Sequence, residues 1–393
     1  MVRIAMIGTR GVPARYGGAE TFAEELATRL AARGHDITVY CWRGNDRGRA
    51  REYKGVRLVY VPGIPAKVFG SVSYGFFGLL HAALCHYDCL HVFNVGNAPL
   101  CVLPRLLGRK IVMMTDGLDW QRRKWGRMVR WGLQFGEYVA TKVATELIAD
   151  ARAMQRYYLA RYGASSVFIP YGAHIDVSRD PTLLAEYGLE PGRYFFVVTR
   201  LEPENNTDLT IKAFERLATD HNLVIVGSAG YKSRFVEELM RTRDPRIRFL
   251  PPIYDRAILR ELFCNAYAYV HGNEVGGTNP ALLQAMGYGC AVLAVNVVFN
   301  AEVLRDTGIL YEKSVDALRE QLEYVTARPD LAAELRRRAV RRIREAYTWE
   351  GMTDEYERLF VRVISGKELV GPSRTGGAVA DSSQDGSTTC ASR

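Results

Sequence analysis

With 393 residues, 48% of them hydrophobic, the chain can bury two full-sized cores, so two domains are expected. A net charge of +9 suits an acidic partner (a nucleotide, an anionic membrane surface, a nucleic acid) as well as it suits an ordinary basic surface. Seven cysteines without zinc or disulfide spacing argue against a stapled framework, and no run of about 18 apolar residues is present to span a bilayer.

The chain opens directly on a strand, Ile4–Gly8, with no leader pattern before it. Further strands are predicted at Ile37–Trp42, Val56–Val61, Cys89–Asn94, Lys110–Thr115 and Glu146–Ala149. Helices separate most of them, as at Thr21–Arg33, where Phe22, Leu26 and Leu30 share a face. Cys85 and Cys89 flank His86, with His81 and His91 nearby. The spacing is wrong for a metal site, and buried thiols in a reducing cytoplasm are expected.

The pattern restarts at a strand, Tyr194–Thr199. A helix near Asp208–Leu217, a strand at Leu223–Gly227 and a helix near Arg234–Arg241 follow. Strands at Ile247–Leu250, Tyr267–His271 and Ala291–Val297 come next. Such alternation predicts an α/β protein with two doubly wound parallel sheets, ligands lying beyond the carboxyl ends of the strands. The boundary falls in the Pro-, Gly- and Asp-rich stretch Pro170–Pro191. An Arg-rich helix, Ala332–Ala346, and a last helix, Thr348–Ile364, precede a Gly- and Ser-rich tail, predicted to be disordered.

Five stretches carry candidate chemistry. After the first strand, Gly8 to Thr21 occupies the place of a phosphate-binding loop but lacks the dinucleotide and P-loop spacings. Gly17 and Gly18 allow close approach there, and Arg10 and Arg15 are either ligand cations or solvated. After another strand, Asp116 stands at a sheet edge, where a carboxylate can orient a sugar hydroxyl or accept a proton. Asp119 can serve instead or cap a helix. Residues 121–131 interleave Arg122, Arg123, Lys124, Arg127 and Arg130 with tryptophans. As a helix, this run suits an anionic membrane or a solvated face, and no nucleic-acid motif accompanies it. Arg200 ends the strand of the second half, placed to grip a diphosphate or to pair with Glu202 and Glu204. Last, His271 to Pro280 is a strand end, a glycine turn and a helix start, with Asn279 as cap and Pro280 in the first helical position. Gly276 and Gly277 let a backbone approach a ligand, and the new helix favours an anion such as phosphate.

Four of these stretches, in order, are GTRGVPARYGGAETF (Gly8–Phe22), TDGLDWQRRKW (Thr115–Trp125), TRLEPENN (Thr199–Asn206) and VGGTNPALLQAMGYG (Val275–Gly289). Together they resemble glycosyltransferase family 4, and more narrowly its bacterial branch that includes rhamnosyltransferases of surface-polysaccharide assembly. The resemblance implies a GT-B fold: an acceptor-side Rossmann-like domain over residues 1–175 and a donor domain over 176–347. A helix over 348–366 would cross back to the first domain, and the tail is 367–393. It implies retaining, metal-independent transfer with no cofactor beyond a nucleoside-diphosphate sugar, to a saccharide or lipid-linked acceptor. The place implied is the cytoplasm or the inner face of its membrane.

By the same resemblance, Arg200 with Gly276, Gly277, Thr278 and Asn279 would hold the leaving diphosphate, and Gly17 and Gly18 would close over it. Glu274 and Gln284 would orient ribose or sugar hydroxyls, and Asp116 would face the donor sugar or the acceptor. Arg10, Arg15, Tyr16 and Asp119 are acceptor or loop candidates, and Glu302 is read as a helix cap. The chain departs from the family pattern at five places. Asn205 and Asn206 stand where relatives carry a Lys and a Gly, Gln284 where they carry a ribose-gripping Glu, and Asp116 where many carry a His; Glu274 is two residues out of step. A nucleotide-sugar epimerase on the same fold and a non-catalytic nucleotide- or saccharide-binding scaffold are the alternatives.

Overall fold

The computed structural model describes residues 1–14, 17–44, 50–64, 69–115, 117–227 and 234–366. Arg15, Tyr16, Asp116 and the tail 367–393 lie outside the described residues.

The first sheet has eight strands: β1 (Arg3–Ile7), β2 (Asp36–Trp42), β3 (Glu52–Tyr53), β4 (Val56–Val61), β5 (Cys89–Phe93), β6 (Ile111–Thr115), β7 (Glu146–Ala149) and β8 (Val167–Phe168). Their order is β3-β4-β2-β1-β5-β6-β7-β8, parallel except at the β3–β4 pair. The second sheet has six: β9 (Tyr194–Val198), β10 (Asn222–Val226), β11 (Ile247–Leu250), β12 (Ala268–His271), β13 (Val292–Val295) and β14 (Ile309–Tyr311), in the order β11-β10-β9-β12-β13-β14. Both faces of the inner strands are covered, which is why β9 reads YFFVV and β6 IVMMT, without alternation. The short strands β3, β8 and β14 are not anticipated by the sequence reading, because two or three residues give no apolar run.

In each sheet the order reverses beside the first strand, between β1 and β5 and between β9 and β12. Open sheets bind ligands at such switch points. The loops that leave β1, β9 and β12 are therefore the ones the topology gathers.

The last helix, Trp349–Ser365, crosses back and packs on the first-domain helix Gly18–Ala32 and on β5. Thr348 caps it by accepting from the Gly351 N–H. Tyr356 and Phe360 bury their rings against His91, and Phe22 meets Tyr356 and Trp349. Arg33 pairs with Asp354 and Glu357 at 2.7 and 2.6 Å. Beside this crossing runs the first one: the Ala173 N–H donates to the Tyr347 carbonyl at 2.7 Å. The predicted crossover thus stands.

The tryptophan-rich basic run differs from the expected helix. Asp119–Gln121 is one tight turn, and the helix begins only at Arg127, running to Val143. His91 is a core residue, and among the described residues no group of three metal-ligating side chains forms. Nor is any helix among them long and apolar enough to cross a membrane.

Candidate active site

The ends of five strands, β1, β6, β7, β9 and β12, converge between the two sheets. The loop after β1 is tied to the helix that follows it. The Glu20 carboxylate accepts the Arg10 N–H at 3.2 Å, and Glu24 accepts the Ala14 N–H at 2.7 Å. Burial raises the Glu20 pKa, while the Arg10 N–H and the charges of Arg10 and Arg200 pull the other way. Glu20 thus stands between cations from both domains. Gly17 is extended, and a Cβ at Gly18 would press on Pro280, the first residue of helix Pro280–Gly287.

The glycine turn after β12 faces the first domain closely. Gly276 has φ +145, a conformation that favours glycine. A Cβ at Gly117 would collide with the Gly276 backbone, and one at Gly277 with the Asp150 carboxylate. Thr278 Oγ1 donates to the Asp150 carbonyl at 2.5 Å, and Asn279 accepts the Ala281 N–H at 2.9 Å, capping the helix as its sequence predicts. Gln284, one turn on, reaches the Tyr288 hydroxyl.

The loop after β9 carries Arg200. Its guanidinium is exposed and makes no hydrogen bond or ion pair among the described residues. Asn205 is buried, and its amide donates to the Arg200 carbonyl at 2.6 Å. This side chain thus holds the Arg200 backbone. Asn206 takes the left-handed conformation and donates to the Gly272 carbonyl at 2.8 Å, joining the β9 and β12 loops.

Glu202 and Glu204 do not form ion pairs with their neighbour Arg200. They receive cations from the other domain. Lys124 lies 3.1 Å from Glu202, and Arg122 lies 3.5 Å from Glu204 and 3.9 Å from Glu202. Burial opposes the charge of Arg122, but Asp119 at 2.6 Å and the two glutamates outweigh it and raise its pKa. Burial likewise opposes ionisation of Glu202, and Arg200, Lys124 and Arg122 overcome it. Asp119 is therefore an anchor for Arg122 in the tight turn, and Arg122 and Lys124 belong to the cleft. Glu274 is held by Lys313 at 2.5 Å, with Arg123 of the first domain at 4.0 Å.

Two carboxylates escape or exceed the sequence reading. Glu302 caps a helix, but in the other domain: it accepts the N–H groups of Arg152 and Ala153 at 2.7 and 3.1 Å. Asp150, at the end of β7, is a residue that sequence reasoning misses. It is fully enclosed, burial raises its pKa to about 7, and its Oδ1 has no hydrogen-bond partner among the described residues. A signal exists in the sequence, since Asp150 follows a strand just as Asp116 does; what singles it out is Gly277 opposite, which only the fold supplies.

The site thus combines an arginine without an ion pair among the described residues, a glycine turn opening a helix and buried carboxylates shared between domains. Comparison with known proteins matches the same two halves. Residues 16–177 match the family model for Glycosyltransferase Family 4, and residues 182–345 match that for Glycosyl transferases group 1. The chain belongs to glycosyltransferase family 4. The fold of this glycosyltransferase is GT-B. It is similar to sucrose-phosphate synthase from Thermosynechococcus elongatus (TM-score 0.77, 18% identical, 93% of this chain and 100% of that one). It is also similar to HepE of Anabaena in complex with UDP and glucose (TM-score 0.74, 17% identical, 91% and 99%). Among curated proteins, it is 24% identical over 186 residues to a glycogen synthase of Deinococcus deserti. It is 24% identical over 127 residues to an uncharacterized protein of the cps region of Klebsiella pneumoniae. The matches span 47% and 31% of this chain, and only 41% and 34% of those two relatives.

Proposed function

We propose that the protein transfers a sugar, with retention of configuration, from a nucleoside-diphosphate donor to a saccharide acceptor in bacterial polysaccharide synthesis. The observation that carries this reading is Arg200, whose exposed guanidinium makes no ion pair among the described residues, on the β9 loop that Asn206 joins to the loop bearing the Gly276–Asn279 turn. An exposed cation on one loop and a glycine turn opening a helix on the next suit a diphosphate, and two N–H groups of one guanidinium can grip it. Family membership and the UDP and glucose named with HepE support the same donor class. The relative from a cps region supports a polysaccharide product.

In the reaction proposed, the bond between the sugar C1 and the diphosphate oxygen breaks, and the diphosphate departs with the electron pair. The acceptor hydroxyl oxygen bonds to C1 and passes its proton to the departing diphosphate oxygen. Arg200 and the turn N–H groups stabilise the departing charge, so positioning and electrostatics supply most of the rate. Asp116 is proposed to face the sugar, and Gln284 and Glu274 to orient hydroxyls. Gly17 and Gly18 close from the first domain, with Arg10, Arg15 and Tyr16 on the acceptor side. Rhamnose as the sugar and a lipid-linked saccharide as the acceptor follow from the narrower sequence resemblance. No metal has a role in the proposed chemistry.

A thermal-shift panel with UDP, GDP, dTDP and ADP tests the donor class. One diphosphate at about a hundred times its dissociation constant should stabilise by roughly 2.7 kcal/mol. A flat response to all four would overturn the reading.

A further inference from the structure

Away from the cleft, the first domain leaves a broad apolar surface uncovered. Helices Phe69–Leu84, Val102–Leu106 and Arg127–Val143 lie together around the turn Val95–Cys101. On the third, Met128, Trp131, Phe135 and Tyr138 fall at intervals of three and four residues, forming one exposed stripe; the other face buries Gly136, Ala140 and Val143. Trp131, 68% exposed, stacks on Phe135 with ring centroids 5.7 Å apart. Leu84 and Leu106, 73% and 79% exposed, extend the surface onto the neighbouring helices. More than half of the exposed large hydrophobic side chains among the described residues lie on these three helices.

The charge around the surface has one sign. Arg105, Arg127 and Lys142 are exposed on or beside these helices. From Phe69 to Lys110 the only carboxylate is Asp88, which accepts the Arg3 N–H. On Arg127–Val143 the only one is Glu137, buried under the hydroxyls of Tyr157 and Tyr162 at 2.9 and 2.8 Å.

An apolar patch of this extent marks an interface. A second copy pressed face to face would bring cation against cation. An anionic bilayer meets both features, taking the rings into the headgroup boundary and the cations onto its phosphates. We propose that this three-helix face docks on an anionic phospholipid bilayer. The proposal rests on the transferase reading in one respect only: the cleft residues Arg122 and Lys124 lie just ahead of the docking helix, so the head group of a lipid-linked acceptor can reach the site while its tail stays in the membrane. It also relocates the membrane surface that the sequence suggests over 121–131. Arg122 and Lys124 turn into the cleft, and the aromatic stripe beyond Arg127 takes their place.

Co-sedimentation of the full chain with vesicles tests this. Wild type should bind phosphatidylglycerol–phosphatidylcholine vesicles and bind phosphatidylcholine vesicles far more weakly. Trp131→Gln combined with Phe135→Gln should weaken anionic binding about a hundredfold, since each buried ring contributes a tenfold factor or more. Arg127→Gln combined with Lys142→Gln should erase the preference for anionic lipid. Both variants should keep the wild-type thermal shift with nucleoside diphosphate. No vesicle binding by wild type, or unchanged binding by the Trp131 and Phe135 variant, overturns the proposal. So does a concentration-dependent dimer, seen by sedimentation velocity, that the same substitutions dissolve. Vesicle binding without any nucleotide response would instead sink the transferase reading and leave the docking face standing.

Discussion

Behind the cleft, the two domains share one continuous apolar core, where Phe22 packs against Tyr171, Trp349 and Tyr356. Across the cleft, they meet through glycine backbones and charge: Gly117 on Gly276, Gly277 on Asp150, Arg122 and Lys124 on Glu202 and Glu204. Separating the first seam exposes rings to water, which is costly. Separating the second exchanges ion pairs for hydration and loses far less. The crossover therefore holds the domains as one body, while the cleft is the side that can open.

The largest expected effect lies at the crossover. Phe360→Ala removes a fully buried ring and should cost about 3–5 kcal/mol of stability, read by thermal unfolding. An unchanged melting temperature would break the contrast between the seams.

Asp150 comes next and gives the cleft a pH dependence. Its folded pKa of about 7 lies above that of an exposed Asp. Between roughly pH 4 and pH 7 the unfolded chain has lost this proton while the folded chain keeps it, so Asp150 makes stability fall as pH rises through that window. Asp150→Asn should flatten the fall, gaining roughly 3–4 kcal/mol at pH 8 and almost nothing at pH 4. A parallel shift at both pH values would show that Asp150 does not titrate there.

Arg122→Met should cost about 2 kcal/mol or more, because it strips Glu204 and Glu202 of a buried cation. Unlike the crossover substitution, it should loosen the cleft alone. Faster hydrogen exchange over 199–206 and 272–279, with the crossover helix unchanged, is the expected pattern; uniform acceleration would contradict it. The smallest effect is at the crossover's rim, where Arg33→Ala should lose about 1 kcal/mol or less, its pairs with Asp354 and Glu357 being partly solvated.

Local chemistry explains which features are legible in the sequence. The inner strands are apolar runs between glycine turns, and their alternation with helices predicts both sheets. The Asn279 cap and Pro280 at the helix start are local too, so this turn is legible from its own few residues. The missed features depend on residues far apart in the chain. Asp150 matters through Gly277, and Glu302 through the N-terminus of helix Arg152–Tyr162. Arg122 and Lys124 read as a membrane-facing helix because their partners, Glu202 and Glu204, stand about eighty positions on, in the other domain. Asn205 reads as a lost charge, yet it shapes the Arg200 loop.

The proposed grip of Arg200 and the glycine turn on a diphosphate is open to direct measurement. Calorimetric titration of wild type and Arg200→Ala tests it, using the nucleoside diphosphate that gives the largest thermal shift and the matching nucleoside. Loss of one or two charge-assisted hydrogen bonds, roughly 1.5–3 kcal/mol each, predicts diphosphate binding at least tenfold weaker in the variant. Nucleoside binding should stay the same. Equal diphosphate affinity in the two proteins would contradict the account.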